Sequence, residues 1–145
     1  MALSSLRATR DDLDRRTAAR FKPEQIVRLA QALPDEDRLL LERRYADGVS
    51  VAEIARRSRR SAPAVARRIE RLTQRLASPE FRFTLTRQAS LPKPMRRTAT
   101  LLFIHGLSLR ETARATGKTL HRVRCDRATL QTLARVDRLN HGETA

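Results

Sequence analysis

Apolar side chains recur along this chain at spacings of three and four residues, which is typical of helices that bury one face. The clearest stripe lies in residues 61–76, where the apolar positions are Val65, Ile69, Leu72 and Leu76. Four Gly and six Pro are too few for a turn-rich all-β fold. The pattern therefore predicts an all-α protein.

Proline and glycine mark the ends of the earlier helices. Pro23 and Pro79 are each followed by glutamate, a combination favoured in a first helical turn. Short helices are predicted from these prolines to about residues 32 and 88. A Leu-Pro break follows each one. The next helix is predicted to end at Gly48 or Gly106, because a left-handed helix cap favours glycine.

A serine followed three residues later by glutamate occurs at 50–53 and again at 108–111. This spacing predicts a capping box, in which the hydroxyl accepts an N–H of the first turn and the carboxylate accepts the serine N–H. The helices that follow are expected at about 51–57 and 109–115. Each is then separated from a last helix by a turn of three or four residues.

The last helices are predicted to be capped by Ser61 and Thr119. In the second of them the apolar stripe is weaker, since Arg127 takes the place that Ile69 holds in the first. The apolar positions expected to face the core there are Leu120, Val123, Leu130 and Leu133.

An internal repeat links these elements. At an offset of 58, residues 33–72 align with residues 91–130 without a gap, and ten of the forty positions are identical. This composition would give roughly three or four identities by chance. The sequence thus predicts two tandem helix-turn-helix units of about four short helices each. The expected divisions are a polar helix (Thr9 to Arg20) and tail in 1–22, a first unit in 23–77, a second unit in 78–138 and a tail in 139–145.

The net charge of +15 is unevenly distributed. Residues 1–54 hold ten basic and ten acidic side chains, whereas residues 55–145 hold 21 basic and six acidic ones. Of the 31 basic residues 28 are Arg, whose planar donors fit phosphate and the guanine edge. The distribution points to an anionic polymer as the partner.

Other classes of function lack support in the sequence. Cys125 is the single cysteine, and with three scattered His it offers no zinc set, so no metal or cofactor is expected. No stretch approaches the ~18 apolar residues of a membrane span. We expect a soluble, cytoplasmic protein with no membrane partner. No catalytic constellation appears, so an enzyme is not expected.

Residues 33–76 resemble the C-terminal DNA-binding domain, region four, of bacterial sigma factors. The matching elements are Leu33-Pro34, Tyr45, Gly48, Ser50, Glu53-Ile54-Ala55 and Val65. Residues 91–133 resemble the same pattern more loosely. The resemblance implies a four-helix domain whose last helix enters the major groove of the −35 promoter element. It also implies an opposite surface that docks on RNA polymerase.

Two departures from the family pattern stand out. Arg59 occupies the turn position where glycine is usual, and a positive φ there would cost about 1 kcal/mol; the second unit has Gly117. Complete sigma factors also carry an aromatic-rich domain that captures unstacked bases. Aromatics are 3% of this chain and no segment resembles that domain, so independent promoter melting is not expected.

The resemblance and the charge together nominate ten DNA-contacting residues: Arg60, Ser61, Arg67, Arg68 and Arg71 in the first unit, and Lys118, Thr119, His121, Arg122 and Arg124 in the second. The second unit offers the better base-contacting face. The first is interpreted as a phosphate clamp built from Arg56, Arg57, Arg59, Arg60, Arg67, Arg68, Arg71 and Arg75.

The leading hypothesis is a sequence-specific transcription regulator that binds double-stranded DNA and has RNA polymerase as a second candidate partner. The alternative is an adaptor that binds polymerase or another regulator without recognising a DNA sequence, with residues 1–54 as its docking surface. RNA binding through the arginine-rich face is a weaker alternative, because single-strand recognition relies on aromatic side chains. The sequence does not determine the oligomeric state.

Overall fold

The computed structural model describes residues 21–141, where the backbone forms eight α-helices and no strand. The predicted all-α class is confirmed. The helices are α1 (Pro23–Ala30), α2 (Asp35–Tyr45), α3 (Val51–Ser58), α4 (Ala62–Ala77), α5 (Pro79–Arg87), α6 (Lys93–Ala99), α7 (Leu109–Thr116) and α8 (Leu120–Asn140). A short 3₁₀ turn (Gln88–Ser90) follows α5, and a π-helical segment (Thr100–Ile104) extends α6. The helix expected in Thr9–Arg20 lies outside the described residues.

The chain divides after Ala77 into two compact units, with α1 to α4 in the first and α5 to α8 in the second. Residues 139 and 140 were assigned to a tail by the sequence pattern but lie in α8. Helix α8 continues to Asn140, and the N–H of His141 still bonds to the Asp137 carbonyl at 3.2 Å. None of the helices in residues 21–141 combines the length and the apolar character needed to cross a bilayer.

In the first unit, α4 packs against α1, α2 and α3, and α1 packs against α2. The predicted stripe on α4 is confirmed, since all four of its apolar side chains are buried. The buried apolar residues of this unit are Ile26, Ala30, Leu33, Leu41, Ile54, Ala55, Val65, Ile69, Leu72 and Leu76.

In the second unit, α8 packs against α5, α6 and α7. The predicted stripe is only half correct. Val123 and Leu130 are buried, but Leu133 is 38% exposed and Leu120 is half-buried. The other buried residues of α8 are Asp126 and Ala134. The buried face of the helix therefore differs from the predicted one and does not include Arg127, which is exposed. The adjoining core consists of Phe83, Leu91 and Ala99, with Met95 and Phe103 packed against it.

Local hydrogen bonds recur in the two units at the same offset of 58. The predicted glycine caps are confirmed, because Gly48 and Gly106 have φ of 67° and 68°. In both units a π-type backbone hydrogen bond, between residues five apart in the chain, lies just before that glycine. These bonds run from the Asp47 N–H to the Glu42 carbonyl and from the His105 N–H to the Thr100 carbonyl, both at 3.0 Å. These caps and hydrogen bonds therefore recur at aligned positions of the two units.

Candidate nucleic-acid interface

The two-helix motif of the first unit consists of α3, a short turn and α4. The Ser50 hydroxyl accepts the Glu53 N–H at 3.2 Å and thereby begins α3. Helix α3 ends at Arg59, which adopts the left-handed conformation with φ of 55°. The Ser61 hydroxyl accepts the Ala64 N–H at 3.3 Å and caps α4 as predicted.

The second unit has the same order of elements in α7, the following turn and α8. Both bonds of the predicted capping box are present, from the Glu111 N–H to the Ser108 hydroxyl and from the Ser108 N–H to the Glu111 carboxylate, each 3.1 Å. Gly117 ends α7 with φ of 71°. The Thr119 hydroxyl accepts the Arg122 N–H at 3.1 Å and caps α8.

The capping box predicted for the first unit is only half formed. The Glu53 carboxylate does not return to the Ser50 N–H, because it accepts hydrogen bonds from Arg56 and Arg57. These hydrogen bonds lower the pKa of Glu53 to about 2, and the bond from Arg56 has the larger effect. The equivalent of Arg57 in the second unit is Ala115, so fewer cations compete for the carboxylate there.

Arg68, which was expected to contact DNA, forms ion pairs within the first unit. Its side chain is 25% exposed and donates to Glu36 at 2.9 Å and to Asp37 at 2.7 Å. The Asp37 bond, followed by that of Glu36, raises the pKa of Arg68. Arg75, with a side chain 22% exposed, lies 3.8 Å from the other Asp37 oxygen. Both arginines tie α4 to α2, so we leave them out of the DNA interface.

Lys118, also expected to contact DNA, has partners within the second unit. Its ammonium group donates to the Pro94 carbonyl at 3.0 Å, the Thr98 hydroxyl at 2.8 Å and the Asp126 carboxylate at 2.8 Å. An ammonium group has three N–H donors, and these acceptors use all of them. Lys118 thus connects the turn before α8 to α6.

The other nominated residues of the first unit lie at its surface. Arg60, Arg67 and Arg71 are exposed. Among residues 21–141, no carboxylate lies within ion-pair distance of Arg67 or Arg71, and Arg60 is 3.8 Å from Glu36. The first two turns of α4 offer few groups that could bond to a base edge. Their exposed side chains are Ala62, Pro63, Ala66 and Arg67.

The second unit presents a more polar helix start. His121, Arg122 and Arg124 are exposed on the first two turns of α8. Arg122 is 67% exposed and its Nε lies 3.3 Å from Oδ1 of Asp126. No carboxylate among the described residues pairs with Arg124. This helix start can therefore offer both guanidinium forks and an imidazole to a groove.

Asp126 is the residue that sequence reasoning missed. Its side chain is 6% exposed and accepts from Lys118 while pairing with Arg122. A signal for it existed in the repeat. At the offset of 58, Asp126 aligns with Arg68, so each unit carries a charged residue on the inner side of its last helix, with opposite sign.

Residues 24–76 match the model of the family described as Sigma-70, region 4. The match covers α1 through α4 and so includes α1, which the resemblance of residues 33–76 had left out. The first unit therefore contains a sigma region 4-like domain, and the family that it resembles consists of DNA-binding helix-turn-helix modules connected with transcription. No curated protein and no solved structure gives a significant match to the chain.

Proposed function

We propose that this chain, with its sigma region 4-like domain in residues 24–76, is a DNA-binding transcription regulator that contacts the duplex through both of its units. In this proposal the start of α8 enters the major groove and contacts base edges. The first unit holds the complex mainly through phosphates. A major groove about 12 Å wide accommodates one α-helix with its side chains.

The single observation that carries the proposal is the exposed start of α8. Thr119 fixes the first turn of that helix, while Val123 and Leu130 anchor its opposite side in the core. His121 and Arg124 then lie on the side that is left to solvent. A capped, rigidly packed helix that carries outward arginines at its N-terminal end fits the geometry by which helix-turn-helix proteins contact bases.

The role of the first unit follows from the side chains that its surface offers. Arg60, Arg67 and Arg71 are exposed, whereas the neighbouring side chains at the start of α4 are alanine and proline. Alanine can contact a thymine methyl group but cannot form hydrogen bonds to bases. Phosphate contacts require only a cation within reach and carry no sequence information. We therefore assign general affinity to this unit.

Selection of bound sequences from a random duplex pool tests the proposal. The full chain is expected to enrich one motif, and the number of conserved blocks would show whether one unit or both contact bases. Replacement of Arg122 and Arg124 by Ala is expected to abolish the enrichment while general binding persists. The matched pair Arg67→Ala and Arg71→Ala should weaken binding to all duplexes and leave the motif unchanged. A pool recovered with no enriched sequence would contradict the proposal.

Salt dependence provides an independent check on the phosphate contacts. If about 6–10 phosphates are neutralised, the affinity should fall roughly 10³- to 10⁵-fold between 50 and 200 mM salt. Each arginine that contacts a phosphate should reduce the slope of log affinity against log salt by about 0.9 when it is replaced. An affinity that does not change with salt would rule out this mode of binding.

A second candidate function is docking of the first unit on RNA polymerase. The few hydrogen-bonding groups at the start of α4 favour it, since a unit that contacts few bases is free to serve a protein partner. The test is recovery of core polymerase by the full chain after nuclease treatment. Recovery that is unchanged by Arg122→Ala and Arg124→Ala would support docking. Loss of polymerase on nuclease treatment would show that DNA alone bridges the two.

A further inference from the structure

We propose that Asp126 is a positioning residue that holds Arg122 ready to bond a guanine, and so sets a specific base in the target site. This inference rests on the proposed function, since it assigns a specificity to the start of α8. Arg122 would contact the base, whereas Asp126 would act through Arg122 from inside the unit.

Asp126 is a fixed anchor. Its side chain is 6% exposed, and Oδ2 accepts from Lys118 at 2.8 Å. Lys118 is itself held by the Pro94 carbonyl and the Thr98 hydroxyl of α6. A carboxylate bonded in this way has little freedom to rotate, because its partner is attached to a second helix. The remaining oxygen, Oδ1, therefore occupies a defined position one turn of α8 after Arg122.

Arg122 uses only part of its guanidinium group on that anchor. Its Nε lies 3.3 Å from Oδ1 of Asp126, while the side chain as a whole is 67% exposed. The two terminal nitrogens have no hydrogen-bond or ion-pair partner among residues 21–141, and together they form the fork that bonds O6 and N7 of guanine. Holding Nε in place reduces the rotamer entropy that a free arginine would lose on binding.

The first unit lacks this arrangement. At the offset of 58 the equivalent of Arg122 is Ala64, and that of Asp126 is Arg68, which pairs with α2. Both units thus have a charged link between helices, but among the described residues only that of the second unit reaches an exposed arginine on the first two turns of the last helix. The guanine is therefore expected in the block that the second unit contacts.

The experiment compares the full chain with Arg122→Ala, Asp126→Asn and the double variant. Each is titrated with the selected duplex and with duplexes that replace one base pair at a time. The original chain should prefer guanine at one position by roughly 5- to 160-fold, the discrimination of a good bidentate contact. Arg122→Ala should remove that preference. Asp126→Asn should reduce it at the same position and no other, with little further loss in the double variant.

Two controls separate positioning from folding. Asp126→Asn leaves Lys118 without its counter-ion. A second variant therefore combines Asp126→Asn with Lys118→Gln, so that both side chains are neutral. Thermal unfolding establishes that the variants are folded. Arg68→Gln changes the equivalent position of the first unit and should lower the unfolding temperature without altering any base preference.

The outcomes are distinct. Loss of preference at one shared position in the Arg122 and Asp126 variants supports the inference. Retention of the full guanine preference by folded Asp126 variants overturns it and leaves the proposed function intact. Uniform loss of affinity for all duplexes in the Asp126 variants also overturns it, since this is what a merely structural role would give. An original chain that selects no sequence overturns both.

Discussion

The backbone at Arg59 supports a quantitative prediction about stability. This residue ends α3 with φ of 55°, a conformation that costs a side chain bearing a Cβ roughly 1–2 kcal/mol. Replacement by glycine removes this strain but adds about 0.5–1 kcal/mol of chain entropy that folding must overcome. The net gain expected for Arg59→Gly is therefore about 0.5–1 kcal/mol. For a unit of this size that raises the unfolding temperature by about 2–8 °C.

The second unit supplies the reciprocal test. Gly117 occupies the same position with φ of 71°, and a Cβ added there would meet no atom within 4 Å. The cost of Gly117→Arg is thus conformational alone, about 1 kcal/mol. Arg60→Gly serves as the matched control. It removes one exposed cation from the same turn, but among the described non-glycine residues only Arg59 has positive φ, so no strain is relieved.

Thermal unfolding followed by circular dichroism or calorimetry measures all three variants. The reasoning requires Arg59→Gly to be stabilising, Gly117→Arg to be destabilising and Arg60→Gly to give no gain. Equal stabilisation by Arg59→Gly and Arg60→Gly would mean that relief of charge repulsion, and not backbone strain, is responsible. An unchanged unfolding temperature for Arg59→Gly would refute the argument.

Three further outcomes follow from the ion pairs and the surface charges. Lys118→Met should destabilise the second unit by about 3 kcal/mol, because it leaves the buried Asp126 carboxylate with only the exposed Arg122 as a counter-ion; chemical denaturation measures the loss, and a value near zero would contradict the described pairing. The pKa of Glu53 is lowered to about 2 from an ordinary value of 4.5. Its ion pairs therefore contribute their full stability at pH values above 4.5, and that contribution disappears as the pH falls toward 2. The difference in unfolding temperature between the original chain and Glu53→Gln should therefore be constant from pH 7 to about 5 and vanish near pH 2; a difference that grew on acidification would be inconsistent with this sign. Arg67→Ala and Arg71→Ala should each lower the slope of affinity against salt by about 0.9, which fluorescence anisotropy can measure, and an unaltered slope would remove them from the interface.

Much of the local structure could be predicted from the sequence because it depends on short-range rules. Ser61 and Thr119 cap the helices assigned to them, and Gly48 and Gly106 take the left-handed conformation at helix ends. These features need only a residue's own chemistry and that of its near neighbours. The stripe on α4 was equally accessible, because its apolar spacing has no interruption.

The sequence was least informative where two helices compete for one side chain. Arg68 has the charge and shape of a phosphate-binding residue, and only the position of Asp37 on α2 shows that it forms an ion pair within the unit. Lys118 is similar, because its acceptors lie on α6 and α8, from eight to 24 residues away along the chain. A pattern of charges gives the sign of a surface, but it does not show which cations are neutralised inside the unit.

The buried face of α8 was also hard to predict, in this case from the spacing of apolar residues. Arg127 interrupted the expected stripe, and sequence spacing alone gave no reason to place an aspartate at the core. The structure buries Asp126 because Lys118 supplies its counter-charge, and Arg127 then turns to solvent. Paired charges of this kind make polar residues compatible with burial, so a hydrophobicity pattern passes over them.

The central claim is that the exposed start of α8 distinguishes one duplex sequence from another. The most direct measurement is the ratio of affinities for the selected duplex and a scrambled one, at fixed salt, for the full chain and for its Arg122→Ala, Arg124→Ala variant. The ratio should exceed about 10³ for the full chain and approach one for the variant, with general binding retained. Equal ratios for the two proteins would contradict the claim.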